Sequence, residues 1–379
     1  MKERVILHCD ANNFFASVEC LLHPEYKNQP LAVAGNVKTR TGVVFAKNEL
    51  AKKYGIKTGD KLFEAKIKCP NIVFVTPNHK LYEKVSKDLQ TIYLSYTDKI
   101  ESFGIDECWL DVTDTEHLFG GAENIAKQIR KRVKKELNLT VSIGISFCKI
   151  FAKLGSDMKK PDAQTIIPKH KFKEIIYPLP LTEIIGIGKN LEKRFNKFNI
   201  FKLGDIVEIP DNIMKKKFGV VGIRLKNTLL GKCEEEVQNQ NETPKSIGNG
   251  ITTPKDMFTR EEIFKTVTYL SEEISKRLQE KNLYASIISV TIKTCNFNYF
   301  HKEKSLRNST CLKRQIIKES MQIIDSFWKY DENVRMIRIC TRKLSKQFYE
   351  QNSMFEKNDT DFNKIETLER TINSLKNKY

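Results

Sequence analysis

Residues 101–113, ESFGIDECWLDVT, place two adjacent acids, Asp106 and Glu107, inside what otherwise resembles a buried β-hairpin. Aromatic and branched apolar residues on both sides of the pair favour a strand, and Gly104 favours a tight turn or a bulge. An ionised carboxylate is costly to bury unless a cation pairs with it. On a flat strand the two acids would face opposite sides, whereas a turn at Gly104 would let both reach one site. The pair by itself is compatible with a solvated hairpin tip or with a cation site.

The composition indicates a multidomain protein with a polyanionic partner. A chain of 379 residues exceeds one ordinary hydrophobic core, which predicts about two to four domains. The formal net charge of +18 favours nucleic acid over an anionic membrane, because no apolar run reaches membrane-spanning length. The N-terminus, MKERVILHCD, has an acid too early for a signal peptide. Nine scattered cysteines without a Cys-x-x-Cys pair argue against a zinc site and predict structural thiols in a reducing, cytoplasmic compartment.

The order of the apolar patterns predicts an α+β layer in the first part of the chain. RVILHC (4–9) predicts a strand, apolar positions at helical spacing predict helices over 81–92 and 125–137, and TVSIGIS (140–146) predicts a last strand. Once the insert at 31–79 is removed, the order is β-α-β-β-α-β. That is the order of a ferredoxin-like split βαβ layer, whose sheet holds residues distant in sequence side by side.

Such a sheet would bring three carboxylates together. Asp10 follows the first strand and can lie beside the hairpin that carries Asp106 and Glu107. Three clustered carboxylates repel one another unless divalent cations lie among them, and hard oxygen ligands select Mg²⁺ or Mn²⁺. Two such ions, roughly 3.5–4 Å apart, clamp the attacking and leaving oxygens of a phosphoryl transfer. The sequence therefore predicts a two-metal phosphoryl-transfer site.

Four segments occur in the order seen in Y-family translesion DNA polymerases: HCDANNFFASVEC (8–20), FGIDECWLDVT (103–113), VSIGISFCKIFAKLGSDMKKP (141–161) and IIGIGKNLEKRF (184–195). The chain resembles this family, and within it the bacterial polymerase IV branch, over about residues 1–343. The resemblance implies a multidomain right-hand polymerase of the α+β class, with a ferredoxin-like palm, small fingers, a helical thumb with a helix-hairpin-helix, and an α/β little finger. It implies the following boundaries: palm 1–13 and 80–167, fingers 14–79, thumb 168–237, linker 238–243, little finger 244–343 and tail 344–379.

The tail carries one further motif. QNSMF (351–355) resembles the peptide by which bacterial polymerases bind the sliding clamp, with Gln351, Met354 and Phe355 as the contacts. Asn352 stands where Leu is common, so a plain flexible linker is the alternative. The apolar positions of KIETLERTINSLKNKY (364–379) predict a short helix after this tether.

The resemblance implies roles in catalysis for the acids. Asp10 and Asp106 would bind both metal ions, the Ala11 carbonyl would complete one coordination shell, and Glu107 would hold the ion that activates the primer 3′-hydroxyl. The implied cofactor is Mg²⁺, two ions per active site, with Mn²⁺ able to substitute. His8 precedes Asp10, and as a residue alternating along a strand it is interpreted as structural.

The resemblance also implies contacts with the incoming nucleotide. Phe15 matches the steric gate, an aromatic ring that lies under the sugar and collides with a 2′-hydroxyl, and Phe14 stands beside it. For a Phe-Phe pair the alternative is a place in the core. Lys160 resembles the lysine that contacts the triphosphate, and its alternative is a solvated loop charge. Lys52, in the helix predicted at 46–54, could supply further charge.

The chain departs from the family pattern at four positions. Asn12 stands where polymerase IV usually has another Asp, and it is not assigned as a metal ligand. Ala46 and Glu49 stand where many relatives have Thr and Tyr, and Lys52 stands where they have Arg. The triphosphate contacts of this helix are therefore left open.

Two further regions predict contacts with duplex DNA. Gly186 and Gly188 form the turn of a helix-hairpin-helix, in which the backbone approaches a phosphate and Lys189 begins the following helix. Arg338 and Arg342 would lie on one face of a strand in the little finger. Both contacts would ignore base sequence and depend steeply on salt.

These observations predict a template-directed, low-fidelity translesion DNA polymerase that acts in damage tolerance. It would add dNTPs to primer-template DNA by two-metal catalysis, as a cytoplasmic monomer without membrane association. One alternative is a DNA-binding accessory protein that kept the fold and lost catalysis. The other is a two-metal nuclease or a nucleotidyl cyclase on a similar palm.

Overall fold

The computed structural model describes residues 3–36, 42–238 and 243–349, together with residue 371. Contacts divide the chain into two compact units, one of residues 1–35 and 43–240 and the other of residues 36–42 and 241–379. The boundary after residue 240 falls within the segment 238–243 predicted as a linker, and the boundaries after residues 35 and 42 fall within the segment predicted as fingers.

Two sequence predictions lie outside the described residues. The clamp peptide at 351–355 is one, and the helix predicted at 364–379 is the other, apart from Thr371. Among the described parts of the chain, no helix is both long enough and apolar enough to cross a membrane.

The first unit contains a five-stranded sheet, a three-stranded sheet and the helices that pack with them. Its helices and strands are, in chain order, β1 (Ile6–Ala11), α1 (Phe14–Leu22), β2 (Leu31–Ala34), β3 (Val44–Lys47), α2 (Glu49–Lys53), α3 (Leu62–Lys68), β4 (Val73–Val75), α4 (His79–Leu94), β5 (Ile100–Ser102), β6 (Glu107–Asp111), α5 (Ala122–Leu137), β7 (Val141–Ser146), α6 (Lys149–Met158), β8 (Gln164–Ile167), α7 (Phe172–Ile176), α8 (Lys189–Asn196) and α9 (Asp211–Leu229).

The central sheet of this unit has the strand order β5-β6-β1-β7-β8. β1 is antiparallel to both β6 and β7, while β8 is parallel to β7. The predicted β-α-β-β-α-β order is confirmed by β1, α4, β5, β6, α5 and β7. Every residue of β1 is buried, because the sheet is covered on both faces.

The alternation along β1 decides which side chains face α4 and α5 and which face α6. Leu7 and Cys9 point to the face that α4 and α5 cover, where they share a core with residues of both helices. Ile6 points to the opposite face and packs against Ala152 of α6. Since side chains alternate along a strand, His8 and Asp10 lie on the Ile6 face, under α6.

The contact between α6 and β7 is unusually close because of Gly144. A Cβ built on Gly144 would lie 1.8 Å from the backbone oxygen of Ala152, so no side chain fits there. The absence of a Cβ lets the α6 backbone rest directly on the sheet.

Two smaller cores complete the first unit. A three-stranded sheet of order β3-β2-β4 packs with α2 and α3 in the region predicted as fingers. α1 belongs to that predicted region by sequence, yet its Phe14 and Val18 pack into the core of the central sheet. The helical region after residue 168 has a core of its own, which α6 extends with Phe151 and Leu154.

The second unit is a four-stranded antiparallel sheet covered by two helices. Its elements are β9 (Ser246–Met257), α10 (Arg260–Glu280), β10 (Tyr284–Thr294), β11 (Tyr299–Thr310), α11 (Lys313–Asp325) and β12 (Val334–Ser345). The strand order is β11-β10-β12-β9, and the apolar sides of both helices form one core with the sheet. The predicted α+β class is confirmed in both units.

Candidate active site

The register of β1 and β6 brings the predicted acids together. Asp10 is the direct partner of Glu107 in this antiparallel pair, and residues so paired point to the same face with Cβ atoms about 4.5–5.5 Å apart. Asp106 immediately precedes β6, and its backbone oxygen accepts a 3.0 Å hydrogen bond from the N–H of Ala11. The three acids and Ala11 are therefore neighbours at one end of two adjacent strands.

Two lysines of the α6 region neutralise the cluster. Lys160 Nζ lies 2.7 Å from Asp10 Oδ2 and 2.8 Å from Asp157 Oδ1. Lys153, inside α6, donates a short hydrogen bond to Glu107 Oε2. With these pairs in place, no group of three or more acidic, His or Cys side chains in the described ranges is arranged as a ready metal cluster. The sharing of metal ions by the acids stays a prediction.

The pKa values show that the three acids differ. Burial, together with the charges of Asp10 and Glu107, raises the pKa of Asp106 to about 6. Burial also raises the pKa of Asp10, although Lys160 opposes it. For Glu107 burial is outweighed by the contacts with His8 and Lys153, which leave its pKa below the ordinary value. A divalent cation would favour the ionised form of all three acids.

His8 is fully buried beneath α6 and contacts Glu107. Its Nδ1 lies 2.8 Å from Ser156 Oγ, and its Nε2 lies 3.3 Å from Glu107 Oε2, an ion-pair distance without good hydrogen-bond geometry. Burial lowers the pKa of His8, which favours the neutral imidazole. The imidazole thus packs beside the Glu107 carboxylate, on the same strand face as Asp10. Its interpretation as a structural residue stays a prediction.

Asn12 anchors the loop that carries Lys160. Its amide nitrogen donates to Ser142 Oγ at 2.9 Å, and its amide oxygen accepts from the N–H of Asp162 at 2.9 Å. Arg130 pairs with the Asp162 carboxylate at 2.9 Å from the side of α5. The loop is therefore fixed at two points, and Lys160 is held over Asp10.

The two predicted nucleotide-contacting phenylalanines differ in environment. Phe14 is only 2% exposed and belongs to the core. Phe15 is half-buried and stacks on Tyr82, with ring centroids 4.3 Å apart and an interplanar angle of 15°. His79 contacts the Phe15 ring edge-on at 5.9 Å. The ring of Phe15 is thus held in place by Tyr82 and partly accessible, whereas the side chain of Phe14 is not accessible to a nucleotide.

The predicted triphosphate helix carries an ion pair. Lys52 Nζ lies 3.8 Å from Glu49 Oε1 on α2, and the same oxygen accepts a 2.8 Å hydrogen bond from Asn13 Nδ2. The helix predicted at 46–54 begins only at Glu49, because Asn48 caps it and accepts a hydrogen bond from the N–H of Ala51. Ala46 lies on β3 as the cross-strand partner of Val33. Glu49 therefore links α2 to the start of α1, next to Phe15.

The predicted DNA contacts lie on exposed surfaces. Gly186 has a φ of 98°, Gly188 caps α8, and an added Cβ at either position would meet nothing within 4 Å. Lys189, the first residue of α8, is exposed. In the second unit Arg338 and Arg342 lie on the exposed face of β12, where Arg342 pairs with Glu303 at 3.1 Å.

Sequence reasoning missed Lys153 and the part that Asn12 plays. Lys153 is only 12% exposed and lies one turn after Lys149, which is 10% exposed and pairs with Glu101 at 2.7 Å. Two lysines at i and i+4 on a buried helix face could have indicated acidic partners beneath the helix, because a buried charge needs a partner of opposite charge.

Comparison with known proteins gives consistent matches along the chain. The model of the impB/mucB/samB family matches residues 9–157, that of its C-terminal domain matches residues 244–354, and that of the family's HHH motif matches residues 171–200. DNA polymerase IV of Acetivibrio thermocellus is 40% identical over 380 residues, covering 100% of this chain and 95% of the relative. DNA polymerase IV 1 of Bacillus subtilis is 34% identical and covers 100% of this chain and 91% of the relative.

Solved structures agree with these matches. A Y-family DNA polymerase chimera of Dbh and Dpo4 superposes with a TM-score of 0.80 at 27% identity, covering 89% of this chain and 98% of the chimera. DinB from Sulfolobus solfataricus gives a TM-score of 0.61 at 26% identity over 89% of this chain and 98% of that chain. Relatives named as polymerases over nearly the whole length exclude the accessory-protein, nuclease and cyclase alternatives. The chain belongs to the Y family of translesion DNA polymerases, in the bacterial DNA polymerase IV branch, and is a DNA-directed DNA polymerase.

Proposed function

We propose that Asp10, Asp106 and Glu107 are the catalytic carboxylates of this polymerase and hold two divalent cations. The cations are Mg²⁺, with Mn²⁺ able to substitute, and the Ala11 carbonyl completes one shell. The observation that carries the proposal is the register of β1 and β6, which pairs Asp10 with Glu107 and leaves Asp106 one residue away. The donor set fits these ions, because carboxylate and carbonyl oxygens are the ligands that Mg²⁺ prefers.

The lysines prepare the site for the deoxynucleotide. DNA polymerases need divalent ions, which when bound would activate the primer 3′-hydroxyl and neutralise charge on the phosphates. Lys160, 2.7 Å from Asp10, changes its partner from this carboxylate to the incoming triphosphate, which releases Asp10 to act as a ligand. Lys153 keeps its contact with Glu107 and orients that carboxylate.

Phe15 selects the sugar in this proposal. Its ring is fixed by stacking on Tyr82, so it cannot easily move aside for a 2′-hydroxyl. Phe14 supports the ring from the core, and any nucleotide contact of Phe14 comes from its backbone. Lys52 contributes positive charge near the triphosphate when the substrate replaces Glu49 as the partner of the Lys52 ammonium group.

The remaining contacts are assigned to DNA and to a clamp. Gly186, Gly188 and Lys189 bind a phosphate of the duplex without reading bases, and Arg338 and Arg342 bind the backbone from the second unit. With these roles we propose the following domains: palm 1–13 and 80–167, fingers 14–79, thumb 168–237, linker 238–243 and little finger 244–343.

The tail contributes the clamp contact. Gln351, Met354 and Phe355 of the peptide at 351–355 bind the sliding clamp, on the strength of their similarity to the bacterial clamp-binding motif. Deleting 351–355 should remove stimulation by the clamp and leave unassisted synthesis unchanged; equal stimulation of the truncated protein would refute this role. The polymerase acts in the cytoplasm. It acts as a monomer, because one chain supplies every residue of the proposed site.

Primer extension by Asp106→Asn tests the catalytic assignment. The substitution keeps the shape of the side chain and removes its charge, so we expect extension to fall by at least ~100-fold while DNA affinity in gel-shift assays is retained. Asp114→Asn is the matched control, because Asp114 is an exposed acid paired with Lys99. An Asp106→Asn enzyme as active as the control would refute the assignment.

A further inference from the structure

The hairpin turn that joins β10 to β11 carries an exposed group of aromatic rings and cations. Phe297, in the turn, is 56% exposed, and Tyr299, the first residue of β11, is 63% exposed. Lys293 Nζ lies 4.3 Å from the centre of the Phe297 ring and 5.0 Å from the centre of the Tyr299 ring. The central guanidinium carbon of Arg335 lies 5.0 Å from the centre of the Phe297 ring. We call these four residues the aromatic-cation cluster.

The backbone of Phe297 is strained, and glycine in its place would relieve the strain. The N–H of Phe297 donates to the Thr294 carbonyl at 3.0 Å, and the N–H of Thr294 donates to the Asn298 carbonyl at 3.0 Å. This is the pattern of a hairpin turn that ends in a left-handed residue, a position that glycine normally occupies. Phe297 occupies it with a φ of 68°, which a bulky side chain rarely adopts. Strained residues of this kind cluster at functional sites.

Contacts with the loop before β12 hold this turn in place. The N–H of Cys295 donates to the Asn333 carbonyl at 2.9 Å, and the Asn296 side chain donates to Glu332 Oε1 at 2.7 Å. Among the described residues, the core of this unit does not include the Phe297 ring. Packing in the core therefore does not compensate for the strain, and the ring is kept at the surface.

The aromatic-cation cluster lies at one end of the sheet face that points away from α10 and α11. Lys293 is the cross-strand partner of Tyr299 on β11 and of Met336 on β12. Two residues earlier, Thr291 is the partner of Arg338. Because side chains alternate along a strand, Lys293, Tyr299 and Arg338 share this face. The cluster thus continues the basic surface that carries the β12 arginines.

Rings and cations in this arrangement suit single-stranded DNA. An unpaired base offers its face to an exposed aromatic ring, and cations beside the ring neutralise the neighbouring phosphates. In a duplex these faces are covered by the adjacent base pairs. Exposed rings alone would also suit a protein partner, but the two cations of the cluster and the net charge of +18 favour a polyanion.

We propose that the aromatic-cation cluster binds an unpaired base of single-stranded DNA. The rings of Phe297 and Tyr299 stack on the base, while Lys293 and Arg335 pair with the phosphates on either side of it. The site goes beyond the duplex contact proposed for the β12 arginines and uses neither of them. Its failure would therefore leave the duplex contact intact, and the reverse holds as well.

Fluorescence anisotropy with the full-length protein tests the proposal. The probes are a dye-labelled single strand of thymidylates and a dye-labelled blunt duplex. We expect Phe297→Gly to bind the single strand at least ~5-fold more weakly than the wild type, because a stacking ring is lost, and to bind the duplex equally well. Since glycine adopts the φ of this position without strain, the urea midpoint of Phe297→Gly should be no lower than that of the wild type.

Two further substitutions at the same position separate stacking from bulk and strain. Phe297→Leu keeps an apolar side chain in the strained conformation and lacks an aromatic face, so it should lose single-strand affinity as Phe297→Gly does. Phe297→Tyr keeps the aromatic face and should retain the affinity of the wild type. Equal affinity of the Leu and Tyr variants for the single strand would overturn the stacking role.

Tyr269→Ala is the matched control, because Tyr269 is an exposed ring of the same unit that lies on α10. It should bind both probes as the wild type does. The proposal is overturned if Phe297→Gly binds the single strand as tightly as this control, or if it loses as much affinity for the duplex as for the single strand.

A single strand that contains 2-aminopurine reports the stacking directly, because this base loses fluorescence when it stacks on an aromatic ring. The wild type should quench the fluorescence more strongly than Phe297→Gly when both are saturated with the strand. Equal quenching by the two proteins at every position of the label would overturn the proposal.

Discussion

Asn12 illustrates how one buried amide can replace a charged residue near the proposed catalytic carboxylates. Both ends of its side chain are used, one towards Ser142 and the other towards the N–H of Asp162. Where polymerase IV usually has an Asp, this chain has an uncharged group that both donates and accepts. The consequence is a rigid attachment of the Lys160 loop without a further negative charge beside Asp10.

Asn12→Ala should weaken nucleotide binding through Lys160. Loss of both hydrogen bonds frees the loop, so we expect KM for dNTP to rise on the order of 10-fold with a smaller change in kcat, because misplacing a binding group costs affinity first. Stability should fall by about 1–3 kcal/mol, since buried partners are left unsatisfied. Asn124→Ala, which removes a surface bond to Phe119, serves as the control. An unchanged KM would show that Lys160 does not need this anchor.

Phe15→Ala should weaken the discrimination between sugars. Removing the ring opens space for a 2′-hydroxyl, and we expect the ratio of kcat/KM for dNTP over rNTP to fall by roughly 10–100-fold, the scale of steric discrimination in an apolar site. Phe14→Leu is the matched control, because that side chain is in the core and should affect stability instead. Equal sugar ratios in Phe15→Ala and the control would contradict the proposed gate.

At the scale of elements, the sequence indicates the strands of the site better than it indicates the helix above them. The apolar run RVILHC and the hairpin signal around Gly104 are local, and they predict where Asp10, Asp106 and Glu107 lie. The contacts of Lys153 depend on the register of α6 over β7, which the approach of Ala152 to Gly144 sets. That approach joins residues on two different elements, so periodicity along either one does not reveal it.

The difference between Phe14 and Phe15 also depends on a contact between elements and not on a local pattern. A Phe-Phe pair at the start of a helix fits a core or a binding surface equally well, and only the position of Tyr82 on α4 decides which ring stays accessible. The sequence could identify the substituted positions Ala46, on β3, and Glu49, the first residue of α2. It could not indicate that Glu49 would bond to Asn13 on another helix.

Asp325 connects the two helices of the second unit and makes its stability depend on pH. Arg260, the first residue of α10, pairs with Asp325 at the end of α11 at 2.7 Å. This guanidinium holds the pKa of Asp325 below the ordinary value of 3.8. An acid with a lowered pKa stabilises the fold above its ordinary pKa, and the contribution is lost as the pH falls through the native value.

Asp325→Asn should therefore lower the free energy of unfolding at neutral pH by about 0.5–1 kcal/mol, because the pair is partly exposed. The difference from the wild type should shrink as the pH falls below the ordinary pKa of Asp, 3.8, and disappear once the pH is below the lowered pKa of Asp325 in the folded protein. Urea unfolding at several pH values measures it, with Asp331→Asn on the following loop as the control. A difference that persists at low pH would assign the effect to packing.

For the whole molecule, the charge of +18 predicts that DNA affinity depends strongly on salt. Each phosphate that an arginine neutralises releases counterions, so the slope of log affinity against log salt reports the number of such contacts. Arg338 and Arg342 are exposed on the sheet face away from the helices of the second unit, which makes their share of this slope measurable.

The double variant Arg338→Gln and Arg342→Gln should reduce the magnitude of the salt slope by about 2 and weaken binding equally for unrelated DNA sequences. The control is Arg314→Gln with Lys318→Gln, two exposed positions on α11. Fluorescence anisotropy at several salt concentrations gives both slopes. A slope equal to that of the control variant would exclude the β12 arginines from the interface.

Gly144 limits how this polymerase can be re-engineered. A methyl group at this position would displace the backbone of α6 from the sheet, and Lys153 would move away from Glu107 with it. Libraries that randomise Phe15, α2 and position 144 together, selected for incorporation of altered nucleotides, should diversify at the first two sites and return glycine at 144 in every active clone.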